Sequence, residues 1–101
     1  MAVTCTTLEE IRTHIDRLDQ QMVTLLAERG RYVSQAARFK KDADGVKAPQ
    51  RVEHVIAKVR DLSQSAGANP EVTEQVYRAM IAAFIQQELA EHAALTHQPA
   101  T

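Results

Sequence analysis

The sequence predicts an all-α protein of three helices, the first very long, that closes its core as an intertwined homodimer. Composition is the first reason: 101 residues with 45% hydrophobic content but three Gly, three Pro and no Trp permit long helices and disfavour a sandwich of many short strands. The second reason is an apolar heptad. Ile11, Ile15, Leu18, Met22 and Leu25 follow one another at alternating steps of four and three, the spacing of a helix–helix seam. The third is length: a helix from Leu8 to about Lys41 would rise roughly 50 Å, whereas a compact monomer of this size has a diameter of roughly 35 Å. Helix one therefore needs a partner, and two chains sharing one core supply it.

Residues 1–101 read as one domain with helices at about 7–41, 49–65 and 70–95. The first opens on a capping box, Thr7-Leu8-Glu9-Glu10, in which the hydroxyl accepts from the third backbone amide and the carboxylate reaches back. Its heptad continues through Arg29, Val33, Ala36 and Lys40, turning from aliphatic to partly cationic without losing its period. Gly30 costs about 1 kcal/mol relative to Ala in a helix interior, too little to interrupt so periodic a stretch. Asp42-Ala43-Asp44-Gly45 is the breaker. Pro49 then suits the first turn of helix two, whose apolar face is Val52, Val55, Ile56, Val59 and Leu62 and whose end is marked by Gly67. Asn69-Pro70-Glu71 starts helix three: an N-cap side chain, a proline and an acid near the positive end of the dipole. That helix carries Val76, Tyr77, Met80, Ile81, Phe84 and Leu89, and the tail to Thr101 frays.

Twelve Lys and Arg against thirteen Asp and Glu leave a net charge of −1, so no global field attracts nucleic acid or an anionic membrane. The longest apolar run, Ala79 to Ile85, is too short to span a bilayer, and the N-terminus lacks a secretory pattern. One cysteine, Cys5, excludes an internal disulfide and fits a reducing cytoplasm. His14, His54, His92 and His97 have no metal-ligand spacing and read as surface residues. Cys5 has no identifiable base, and there is no Gly-rich phosphate loop.

What remains is a set of cations. Arg29 and Lys40 lie eleven residues apart, about 1,100° or three turns plus about 20°, and so share one helical stripe. Arg12 falls roughly 100° off that stripe and would approach it from a partner's helix. Arg51 sits in the first turn of helix two, where the dipole disfavours a cation. Single basic side chains on helices are usually solvated, but two in register with an apolar seam require a counter-charge. No acid of the chain falls on that seam between them, so an anionic ligand would supply it. Tyr77, Ile81, Phe84 and Glu88 follow heptad spacing, turning Glu88 toward an apolar face. There it either pairs with a nearby Arg or is desolvated, and in the second case it is protonated and can donate a hydrogen bond.

The motifs Leu8-x-x-Ile11-Arg12-x-x-Ile15-Asp16-x-x-Asp19, Leu25-Leu26-Ala27-Glu28-Arg29, Ala37-Arg38-Phe39-Lys40 and Pro49-Gln50-Arg51-Val52 resemble the all-α chorismate mutase family, including its isochorismate-pyruvate lyase branch. The resemblance implies an intertwined helical dimer with two equivalent sites for a small dicarboxylate and no cofactor. It implies that Arg12 reaches the site of the neighbouring chain to grip one carboxylate and that Arg29 holds the other carboxylate region. Lys40 would contact a carboxylate and the ether oxygen, Arg51 would support the bound orientation, and Glu88 would donate to the ether oxygen. Ala48 and Val52 stand where typical mutases often carry Asp and Glu; with Cys5-Thr6, Tyr32-Val33 and Arg38-Phe39-Lys40 they lean toward the lyase branch.

A pericyclic rearrangement of chorismate to prephenate needs no nucleophile or metal. It needs a compact substrate conformer and stabilisation of charge growing on the ether oxygen, for which Arg forks and a Lys ammonium are suited. Chorismate mutase is the first expectation. The alternatives are the lyase forming salicylate and pyruvate, a bifunctional enzyme, an amino-substituted chorismate as substrate, and, from another class, a non-catalytic helical dimerisation module.

Overall fold

The computed structural model describes the backbone of residues 2–96 and the side chains of residues 2–94; the frayed tail expected near Thr101 and the reading of His97 lie outside the described residues. The chain is all-α, with helices α1 (Leu8–Ala37), α2 (Ala43–Lys47), α3 (Pro49–Ala66) and α4 (Pro70–Thr96). It divides into two compact units, Met1–Tyr32 and Val33–Thr101.

The first unit is the greater part of α1 with the segment before it. Thr7 Oγ1 accepts from the Glu10 amide at 3.1 Å, the first half of the predicted capping box. The second half is displaced by one residue: the Glu10 carboxylate accepts from the Thr6 amide at 3.0 Å and the Thr6 hydroxyl at 3.1 Å. Glu10 gains two donors there where a strict box offers one. Gly30 lies within an unbroken helix. The heptad of Ile11, Ile15, Leu18, Met22 and Leu25 stays 42–62% exposed, an apolar stripe that its own unit does not cover. Cys5 is a free thiol.

The second unit holds the core. Ala37, Val46, Ile56, Val59 and Ile81 are its buried apolar residues, drawn from the last turn of α1 and from α2, α3 and α4. Both α2 and α3 pack on α4. Along α3 the inward side is Val52, Val55, Ile56 and Val59, whereas Leu62 on the expected apolar face is exposed, as is Val76 on α4. The α3–α4 corner follows the sequence signals. Gly67 takes φ 76°, the Ala68 amide donates to the Ser63 carbonyl at 2.8 Å and the Gly67 amide to Gln64 at 3.2 Å, a left-handed cap that satisfies the last carbonyls. Asn69 Oδ1 accepts from the Glu71 amide at 3.0 Å.

Helix one ends at Ala37, four residues before the expected boundary. The amides of Arg38, Phe39 and Lys40 donate to Gln35, Ala36 and Ala37 at 3.0–3.2 Å, three-residue steps that tighten the chain and break the helical register. The expected breaker is itself partly helical: Asp42 Oδ1 accepts from the Gly45 amide at 2.8 Å and caps the single turn of α2. Ala48 joins α2 to α3 at φ 38°, ψ 62°, a left-handed conformation that costs a residue with a Cβ about 1–2 kcal/mol.

On the outside, Arg60 bonds Glu71 and Glu74 at 2.7 Å each, and Arg78 bonds Glu74 at 2.7 Å and both Glu53 oxygens at 2.9 Å. Inside, the Ser63 and Thr73 hydroxyls share a 2.8 Å hydrogen bond. The Arg78 hydrogen bonds hold both Glu53 and Glu74 below the ordinary glutamate range, with Arg60 adding to the effect on Glu74. Folding therefore releases protons from these carboxyls, and their contribution is complete above the unfolded glutamate value of about 4.3. It is lost as pH falls through the lowered folded values.

Two outcomes follow. Replacing Glu74 with Gln flattens the loss of stability below pH about 4.3, measured by urea denaturation across pH, and added salt narrows the difference from wild type because the groups are solvent-accessible. Ala48→Gly relieves the left-handed strain and raises stability by about 0.5–1 kcal/mol, read from the same denaturation curves at fixed protein concentration.

Candidate active site

In the second unit the chain converges on Lys40. The residue follows the tightened turn after α1, so its side chain is not carried on the α1 stripe. Its ammonium donates to the Gly45 carbonyl of α2 at 3.3 Å and lies 3.6 Å from Glu88 Oε1 of α4. Its own main-chain carbonyl accepts from His92 Nε2 at 3.0 Å. Nearby, Glu91 Oε1 accepts from the Ser34 hydroxyl at 3.0 Å, tying the end of α1 to α4, and from the Gln87 side-chain Nε2 at 3.1 Å.

Glu88 is 5% exposed, turned to the apolar face that its heptad spacing with Tyr77, Ile81 and Phe84 requires. Its Oε1 is buried without a hydrogen-bond partner; the 3.6 Å approach of Lys40 gives Coulombic attraction but lies beyond hydrogen-bond length. A buried carboxyl with an unused oxygen beside an ammonium with N–H groups to spare can engage two points of one small molecule. Lys40 can bind an anionic or ether oxygen of such a molecule.

The remaining predicted residues are placed as follows. Arg12 is exposed and Arg29 half-buried, both on α1 in the first unit; Arg51 is exposed in the first turn of α3, where no acid offsets the positive dipole end. Among the described residues no group of His, Cys, Asp and Glu could hold a metal ion, and no helix is long and apolar enough to cross a membrane.

The structure corrects sequence expectations at Lys40 and at His92. Lys40 does not share an unbroken helical stripe with Arg29, because α1 ends before it. Its counter-charge is an acid of the chain itself, Glu88, forty-eight residues later and so invisible to any test of one helix seam. Glu88 in turn faces this lysine at 3.6 Å. Nor is His92 a plain surface residue, since it is half-buried and bonded to the Lys40 backbone. The available signal was its place four residues after Glu88, on the same face of α4.

Replacing Lys40 with Met leaves the Glu88 carboxylate buried without a cation and costs about 1–3 kcal/mol of stability. Glu88→Gln in that background restores most of it, checked by urea denaturation of the single and double variants.

The type II chorismate mutase family model matches residues 11–89 of the chain. An isochorismate pyruvate lyase of Pseudomonas aeruginosa is 31% identical over 85 residues, which is 84% of each chain. A bifunctional chorismate mutase/prephenate dehydratase of Aquifex aeolicus is 30% identical over 104 residues, covering 92% of this chain and 29% of that larger protein. The matched span takes in the Lys40–Glu88 pair, Arg12, Arg29 and Arg51, and the chain belongs to the type II chorismate mutase family.

Proposed function

We propose that the protein is a chorismate mutase, rearranging chorismate to prephenate, in a homodimer whose active sites each take Arg12 from the other copy. The observation that carries this reading is the buried Glu88 carboxyl with an unused oxygen beside the Lys40 ammonium. In the rearrangement the ether C–O bond breaks while a C–C bond forms, and negative charge grows on the departing oxygen. Lys40 stabilises that oxygen in a site of reduced water content, where such a donor acts most strongly, and the Glu88 carboxyl beside it is the second polar group at that position.

Arg12 and Arg29 hold the two carboxylates, and Arg51 supports the bound orientation, so that binding selects the compact reactive conformer. No group has to attack carbon or shuttle a proton. The exposed stripe of α1 supports the dimer: five apolar side chains at heptad spacing are half in water in one copy, and a second copy of the same stripe is self-complementary across a two-fold axis.

A second reading, loss of pyruvate from isochorismate to give salicylate, is favoured by two observations. The lyase relative is matched over 84% of both chains. Ala48 and Val52 also leave the start of α3 without the acids that typical mutases often carry there. The same cations serve both reactions.

Incubation of the purified protein with chorismate and, separately, isochorismate decides between them. Prephenate is the expected product, and Lys40→Ala and Arg29→Ala each lower kcat/KM by about 100-fold or more. Salicylate with negligible prephenate assigns the lyase reaction instead, and neither product leaves an amino-substituted chorismate as substrate or a non-catalytic helical dimerisation module.

A further inference from the structure

We propose that His92 is a positioning residue for Lys40. Its Nε2–H holds the Lys40 carbonyl at 3.0 Å, while Glu88, one turn earlier on α4, faces the Lys40 ammonium at 3.6 Å. Residues four apart on a helix lie on one face and about 6 Å apart along the axis. One turn of α4 thus grips both ends of one lysine, its main chain and its charge.

The bond direction is fixed by chemistry. A carbonyl oxygen only accepts, so Nε2 carries the proton and donates; both the neutral Nε2–H tautomer and the imidazolium can do so. The grip matters because the segment from Arg38 to Asp42 belongs to no helix, and its other backbone bonds among the described residues are local: the Arg38, Phe39 and Lys40 amides donate to Gln35, Ala36 and Ala37 at 3.0–3.2 Å, and the Asp42 carbonyl accepts from Val46 at 3.2 Å. With four aliphatic carbons before its charge, Lys40 is aimed well only if its main chain is held. Glu91 performs the matching task for the end of α1, accepting from Ser34 at 3.0 Å. His92 is the anchor that reaches past the helix end to the lysine itself.

The catalytic arm of the test rests on the function proposed above; the backbone arm does not. His92→Leu removes the donor at similar volume, and His92→Gln keeps an N–H donor at similar reach. Circular dichroism establishes that both variants fold. In ligand-free protein, hydrogen exchange of the peptide covering residues 38–42 is expected to speed up in the Leu variant and to stay near wild type in the Gln variant. With the substrate that wild type converts, the Leu variant loses about tenfold in kcat with a smaller change in KM, and the Gln variant stays within about threefold.

Wild-type exchange in the Leu variant, or a Gln variant as impaired as Leu, overturns the proposal. So does a Leu variant with faster exchange but unchanged kcat, which would make the bond merely structural. If wild type converts neither chorismate nor isochorismate, the functional reading fails. The backbone arm then decides the grip alone: faster exchange in Leu with none in Gln upholds it, and any other pattern overturns it.

Discussion

A carboxyl group taken out of water must be given a positive partner, and in this chain that requirement falls on Glu88. At 5% exposure it has given up most of its hydration, which a charged group does at a cost. The partner is Lys40, and the backbone around it is arranged to deliver it. The chain leaves α1 at Ala37, tightens through three successive short-range bonds, and turns at the Asp42 cap so that the Gly45 carbonyl takes one ammonium proton. The left-handed Ala48 then starts α3 at once. A single turn of helix and one strained residue are thus spent on placing one charge. Buried ion pairs seldom stabilise a fold more than apolar packing would, and in the proposed function this pair acts on a ligand.

The pair is useful only if α4 is held in register against α3. Two kinds of contact do this. Ser63 and Thr73 satisfy each other within the α3–α4 interface, and Arg60 and Arg78 bridge the two helices through Glu53, Glu71 and Glu74. Each exposed ion pair contributes little by itself. As a connected set they penalise sliding of one helix along the other, since a shift of one turn would unmake several forked contacts at once. The network lies near the start of α4, whereas Glu88 and His92 lie near its end, so the rigid helix carries the register from one to the other.

Much of this was legible before the structure. Gly67, Asn69 and Pro70 marked the α3–α4 corner because local chemistry decides a cap, and the heptad through Tyr77, Ile81 and Phe84 turned Glu88 inward because period decides a face. The end of α1 was not legible. Ala36 and Lys40 continue the apolar–cationic pattern, and the first strong breaker is Gly45, so local signals favoured continuation. The competing pull comes from Glu88, far along the chain, and such tertiary overrides of propensity have no sequence period. The same cause hid His92, which reads as surface until the carbonyl it serves has been placed. Glu10 reached Thr6 instead of closing the strict box because two donors on one residue satisfy both carboxylate oxygens.

The two units divide the physical work unequally. The second buries a core from four helical segments, but the first leaves Ile11, Ile15, Leu18, Met22 and Leu25 exposed on a heptad stripe. Natural surfaces do not maintain such a stripe without a use. In the proposed dimer the stripe is the seam, and Arg12, one residue after Ile11 and therefore at its edge, is carried to the other copy by the same contact that removes the seam from water. A reaction without nucleophile or proton shuttle asks of its enzyme only that charges be held in fixed positions. Rigid helices joined by tight corners suit that demand, and in the proposed dimer a seam that buries apolar surface while delivering a cation would make assembly and catalytic competence one equilibrium.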